Sequence, residues 1–370
     1  MKIWWITLGL TFILCIYARI YAKKVQRNNG EIMEYKPNKM FSFLACSILI
    51  LVSGLRINIG DTQTYIQHFE KLSSNFRDTL ILINSDTQDI GFTIFSAFIK
   101  DYISENSQVY ILIISTITIA LIFITLYKYC GMLELGVFIF ITAGNYLVSM
   151  NGVRQYLVSA ILFYAFPLIY KKNWKVYFTI VLILSTIHGS AIIFIPLYFI
   201  VDSDAWGRVS VYMIITGILA YIFYPITAKV FAGLLQETQY GIYSAGILSG
   251  NAGSSNIIRT LVYIVPIVFS YIKRKEIKEN ERYFNIVLNF SILNSIFMLL
   301  SSGSSWIFAR YCMYFSLYMI ILLCWCIKYI SYNKERRLVY YLCIALFGIY
   351  YFYEMHISLN QIYMSNFIHF

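Results

Sequence analysis

The sequence predicts an all-α polytopic integral membrane protein, and three observations carry that prediction. Of 370 residues, 59% are hydrophobic and 13% charged, about half the charged share of a soluble domain. Mean hydropathy is +0.67. Apolar runs recur along the whole length, several of them near the roughly 20 residues a helix needs to cross a bilayer. The basic residues cluster between those runs: Lys23, Lys24, Arg27, Lys36 and Lys39; Lys171, Lys172 and Lys175; Lys273, Arg274, Lys275 and Lys278; Lys334, Arg336 and Arg337. This is the positive-inside pattern of cytoplasmic loops, and it accounts for the net charge of +11. No soluble stretch interleaves basic and aromatic residues, so nucleic-acid binding is not expected.

Fixing the basic clusters in the cytoplasm gives each element in order. The run 3–22 has no basic region beyond Lys2 and no small-residue cleavage site, so it reads as a first span rather than a signal peptide. A second span at 40–55 leaves the cytoplasm and ends at Arg56. Residues 57–106 form an external loop with amphipathic helices; its piece "DIGFTIFSAFIKDYI" is short for a span and suits the interface. Spans at 107–127, 133–150 and 156–170 follow, the last two joined by "NGVRQ". The run 176–201 has His188 near its middle. Parity with the later spans (209–225, 257–272, 283–302, 307–327 and 338–353) makes it a hairpin turning at "HGS", in a protein-lined cavity because each arm is too short to cross. Residues 202–208 are then cytoplasmic, although Asp202 and Asp204 outweigh Arg208 there. A second external loop is expected at 226–256, giving about twelve transmembrane or partly re-entrant helices in a single domain.

On this topology nine Lys/Arg residues lie outside, and the four at external span ends, Arg56, Arg154, Arg259 and Arg310, are all arginine. A planar guanidinium fork suits phosphate oxygens, so together they point to a shared anionic site. The bland alternative is that each merely snorkels to the interface. Asp61 and Asp89 each precede a helical stretch, where Asp is a favoured N-cap, and capping alone would explain either. His188 stands in an apolar context at membrane depth, where ionisable residues face a cavity or a partner. It is a candidate general base or hydrogen-bond donor, with a satisfied core histidine as the alternative.

The seven cysteines fall in or beside apolar runs and read as small hydrophobes. Neither they nor the acidic residues form a metal-ligand pattern on the external side, so no metal is expected. Phosphate-binding loop, hydrolase-elbow, zincin and dinucleotide motifs are missing, and no cofactor is implied.

Five segments together resemble the EpsG family, grouped with the Wzy-type polymerases of O-antigen, capsule and exopolysaccharide. "GLRINIGDTQTYIQHF" is similar to its first signature through Gly54, Arg56, Gly60, Asp61, Tyr65 and Phe69. "DIGF" resembles a Glu-Pro-Gly-Phe element, with Asp89 and Ile90 as departures. "MNGVRQYLVSA" resembles a helix motif through Asn151, Arg154 and Gln155. "LSTIHGSA" resembles a motif centred on His188, with Ser185 and Ile187 departing, and "ARYCMYF" one that begins at Ala309 and Arg310.

The resemblance implies a membrane glycosyltransferase of GT-C-like architecture at the external face of a bacterial inner membrane. Its substrates would be undecaprenyl-pyrophosphate-linked oligosaccharide repeats, and a Wzz-like chain-length regulator and a flippase would be partners alongside membrane lipids. The lipid-linked substrate would supply its own leaving group, so neither nucleotide nor ATP is needed outside the cell. Arg154 and Arg310, then Arg56, would hold pyrophosphate, with Arg259, which matches none of the motifs, added last from its place at a span end. Asp89, Gln155 and Tyr65 would join them at the substrate, and His188 or Asp61 would act as base. An O-antigen ligase, a lipid-linked oligosaccharide flippase and a membrane acyltransferase are the competing readings.

Overall fold

The computed structural model describes residues 2–26, 33–84, 87–236, 255–303, 307–359 and 361–368. The described residues are all-α apart from one small hairpin. In order, the helices are α1 Lys2–Ile20, α2 Lys39–Gly54, α3 Thr62–Lys71, α4 Phe76–Leu82, α5 Ile90–Tyr102, α6 Ser107–Tyr129 and α7 Leu133–Thr142. Then come α8 Asn145–Asn151, α9 Val153–Ala165, α10 Pro167–Tyr170, α11 Trp174–Ile187, α12 Phe194–Tyr198, α13 Arg208–Ile222 and α14 Tyr224–Gln236. The last five are α15 Ile257–Ile272, α16 Arg274–Asn280, α17 Phe284–Ser301, α18 Ile307–Lys328 and α19 Asn333–Phe352. Between α1 and α2, β1 (Lys23–Gln26) and β2 (Met33–Lys36) pair antiparallel with Lys23 opposite Lys36, an element the sequence reading did not anticipate.

Among the described residues six helices are long and apolar enough to cross a membrane, or up to eight if each of two bent pairs is one span. That is fewer than the expected twelve. Several apolar helices are too short. The 16 residues of α2, for example, reach about 24 Å against a hydrocarbon core of roughly 30 Å. Others are broken. The expected span at 133–150 bends by 54° between α7 and α8, where Gly144 takes φ +84°, a conformation open to glycine. The expected span at 209–225 ends at Ile222, and α13 and α14 meet at 98°. Pro225, which has no N–H to donate, falls in the first turn of α14. The expected external loop at 226–256 is helical up to Gln236, and 237–254 lie outside the described residues.

The chain divides into two compact units. The first comprises Met1–Ala165, Thr179–Ile192 and Ile330–Phe370. Here α2 and α6 begin on asparagine caps, Asn38 Oδ1 accepting from Met40 N at 2.9 Å and Asn106 Oδ1 from Gln108 N at 2.8 Å. One apolar cluster joins α3, α5, α6, α9 and the last turn of α11: Phe69, Phe92, Ile99, Tyr110, Ile111, Ile114, Val153 and Leu157, with Tyr65 and Ile187 packed against it. The far end of α3 is closed by Lys100, whose Nζ donates to the carbonyls of Phe69, Glu70 and Leu72 at 3.0, 2.8 and 2.6 Å.

The second unit comprises Phe166–Phe178 and Ile193–Tyr329. Its core is the antiparallel pair α17 and α18, locked by ring contacts such as Phe290–Tyr318 at 4.4 Å and Phe297–Tyr311 at 4.9 Å. The loop before α13 docks on the start of α17, where Asn289 Nδ2 donates to the carbonyls of Val201 and Ser203 at 2.9 and 2.8 Å. Asp202 pairs with Lys172 at 2.6 Å and Asp204 with Lys278 at 3.2 Å. The two aspartates that made this loop look misplaced therefore sit among the basic residues of one end of the unit.

Candidate functional site

Four polar residues singled out from sequence sit at the ends of helices that share the first unit's apolar cluster. Asp61 precedes α3, Asp89 precedes α5, Arg154 lies in the first turn of α9, and His188 follows α11. Each helix contributes a cluster residue close by in sequence: Tyr65, Phe92, Val153 and Ile187. Packing those four apolar side chains together necessarily gathers the helix ends that carry the polar ones.

At the centre, Arg154 Nη1 pairs with Asp89 Oδ2 in a short ion pair, the Arg154 side chain 36% exposed and that of Asp89 6%. The guanidinium lies over the rings of Tyr65 and Phe92, each centroid 5.8 Å away, an arrangement that fixes its plane. Asp89 holds a left-handed backbone (φ 51°, ψ 49°) and makes no side-chain cap, so its carboxylate serves Arg154 rather than the helix. Gly91 brings α5 hard against α11: a Cβ there would lie 2.1 Å from Thr186 Oγ1. His188, 7% exposed, follows two residues later, between α11 and the 3₁₀ turn Gly189–Ile193. Gln155 is buried in the first turn of α9.

Asp61 also occupies a cap position without capping. Its side chain makes no cap hydrogen bond, and the residue is exposed. What fixes it is its backbone: Asp61 N donates to Asn151 Oδ1 at 3.1 Å. The preceding Gly60 takes φ +51° and lies so close to Asn151 that a Cβ would fall 2.1 Å from Oδ1. Asn151 and Gly60, which sequence reasoning matched to the motifs without giving them a role, are the residues that seat the Asp61 turn. The signal was present in the "NG" and "GD" pairs beside Arg154 and Asp61.

Arg56 is placed differently from expectation. It is 1% exposed. Nε donates to Thr62 Oγ1 at 3.0 Å, Nη1 to the Ser53 carbonyl and to Ser115 Oγ at 3.0 Å, and Nη2 to the Met150 carbonyl at 3.0 Å. The fork expected to face phosphate faces the end of α2 instead. It completes a full capping set there: the carbonyl of Leu51 takes Leu55 N, that of Val52 the Tyr363 hydroxyl, that of Ser53 Arg56, and that of Gly54 Gln108 Nε2. A cation also complements the negative end of the helix dipole. Burial pushes the Arg56 guanidinium down to about 10, which leaves it cationic at neutral pH.

Arg259 and Arg310 belong to the second unit, each half-buried in the first turn of its helix, α15 and α18. They share one end of that unit: Ser255 N donates to the Ser301 carbonyl at 3.0 Å, joining the start of α15 to the close of α17, from which the chain passes to α18. The Lys328–Glu281 pair and the two Asp–Lys pairs lie at the opposite end. Among the described residues no three His, Cys, Asp or Glu side chains gather as a metal site would require.

The family model described as the EpsG family matches residues 39–368, from the first residue of α2 onward. No curated protein and no solved structure matches the chain. Match and motif residues cover the same ground, and the chain belongs to the EpsG family of Wzy-like polysaccharide polymerases.

Proposed function

We propose that the chain elongates a polysaccharide by joining lipid-pyrophosphate-linked oligosaccharide repeats at the external face of a bacterial inner membrane. The observation that carries this reading is the Arg154–Asp89 pair on its aromatic shelf, with the exposed Asp61 held beside α9 by Asn151. In the transfer, the glycosyl C1–O bond to pyrophosphate breaks and its electron pair leaves with the lipid pyrophosphate. The acceptor hydroxyl oxygen bonds to C1, and its proton passes to Asp61 or His188. Arg154 stabilises the charge that grows on the leaving group, where preorganised donors contribute most. Tyr65 and Gln155 line the substrate side, Asp89 holds the Arg154 fork in plane, and Arg56 braces the turn that carries Asp61. About twelve helical segments in a GT-C-like arrangement, some of them re-entrant, suit such a site at the outer boundary of the membrane. A chain-length regulator and a flippase are the partners such a reaction calls for.

The test is reconstitution in liposomes with a defined lipid-linked repeat. Wild type is expected to lengthen the repeat with no ion gradient and no nucleotide. Movement of the repeat across the bilayer without lengthening would establish a flippase instead, and transfer to a lipid A core acceptor a ligase.

A further inference from the structure

Nothing in the Asp61 side chain's own surroundings holds it: its carboxylate makes no cap hydrogen bond and stands exposed. Its position is therefore inherited from the backbone of the 57–61 turn, which lies outside any helix or sheet ladder. One side of that turn rests on Asn151. The other side is gripped by residues 361–364, about 300 positions away in sequence. Ile57 N donates to the Met364 carbonyl at 3.0 Å. Asn58 completes the grip in both directions, Nδ2 donating to the Ile362 carbonyl at 2.7 Å and Oδ1 accepting from Met364 N at 2.8 Å.

The gripping segment is itself anchored. The Tyr363 hydroxyl donates to the Val52 carbonyl at 2.9 Å, and Trp4 Nε1 donates to the Gln361 carbonyl at 3.1 Å. Trp4 also meets the Tyr363 ring edge-on at 5.6 Å. Burial pushes the Tyr363 phenol up to about 12, so its proton stays in place to donate at neutral pH. The strap is thus tied to the rigid end of α2 at the residue that also helps to cap it.

We propose that residues 361–364 form a strap that positions the catalytic turn, with Asn58 as the positioning residue through which it sets the place of Asp61. The proposal rests on the reading of Asp61 as the proton acceptor. A base without side-chain support has only its backbone to keep it within reach of the acceptor hydroxyl. A displacement of about 1 Å is enough to cost on the order of 10²-fold in rate. The two-way asparagine is suited to this task because it registers the turn against the strap like one rung of a ladder, without a second strand.

The experiment is a double-mutant cycle on the reconstituted full chain, with elongation rates expressed per bound molecule of undecaprenyl pyrophosphate so that any misfolded fraction drops out. Asn58→Ala is expected to lower kcat roughly 10- to 100-fold while the KM for the lipid-linked donor stays within about 2-fold. Tyr363→Phe, which removes one hydroxyl, is the milder variant and is expected to fall in the same direction by roughly 3- to 10-fold. In an Asp61→Asn background, Asn58→Ala is expected to add less than about 2-fold, because the residue through which it acts is already gone. A full further loss in that background would show a merely structural role and overturn the proposal, as would an unchanged rate in both Asn58→Ala and Tyr363→Phe. Full elongation by Asp61→Asn alone would instead remove the base assignment, and the strap's role with it, an outcome separate from the other two.

Discussion

Arg56 and Arg154 are the same side chain put to opposite uses, and burial separates them. Arg56 is enclosed at the end of α2, with each of its three nitrogens engaged by the protein. Arg154 keeps a third of its side chain exposed and meets a carboxylate over two rings. Arg56→Ala is accordingly expected to be a stability mutation. It removes the donors that serve the Ser53 and Met150 carbonyls, at about 1–3 kcal/mol each, so the folded protein recovered in detergent and its thermal midpoint should drop. Arg154→Lys is expected to fold normally and to lose elongation by about 10²–10³-fold, because a point charge does not reproduce the fork. Full-length polysaccharide on a ladder gel from an Arg154→Lys strain would show that the fork is not needed. Sequence alone read both arginines as phosphate ligands, Arg154 ahead of Arg56, since residue type and span position are the same. The difference lies in Ser115 and Met150, which are remote in sequence and adjacent in space.

At the scale of elements, the site is a property of helix ends. Asp61 and Asp89 each look like ordinary N-caps in sequence and occupy that position, yet neither caps. In one case Arg154 takes the carboxylate; in the other Asn151 takes the backbone N–H and the carboxylate is left to solvent. Gly60 makes the second arrangement possible. Gly60→Ala is expected to cost roughly 1–2 kcal/mol for its left-handed backbone, and its Cβ would overlap Asn151 as well. The turn should therefore shift, and elongation should fall more than the detergent melting temperature does. Gly91→Ala should be more severe for folding, because its Cβ would meet the Thr186 backbone as well as its hydroxyl; a lowered thermal midpoint with the wild-type rate per folded molecule is the expected result. Helix existence was legible from hydropathy along most of the chain. The breaks at Gly144 and Pro225 were readable in principle from the residues themselves. The β1–β2 hairpin was not, because its strands are four residues long and charged.

At the scale of the whole molecule, topology is the property still open to direct measurement. A single cysteine at Ser73, in the turn after α3, is expected to react with a membrane-impermeant maleimide added to intact spheroplasts. One at Ser203, between the Lys-paired aspartates, is expected to react only after permeabilisation; the reverse pattern would invert the assignment of faces. The sequence by itself determined that the chain is a helical membrane protein and which family it belongs to. Those are properties of composition, spacing and motif, and they survive without coordinates. Only the tertiary structure decided which arginine is enclosed and which is part exposed, that two apparent caps do not cap, and that residues 361–364 hold the turn bearing Asp61. Each of those depends on buried donors and acceptors finding partners far away in sequence. An unpaired polar group is costly enough to dictate the pairing, but nothing local in the chain reveals which partner it will find.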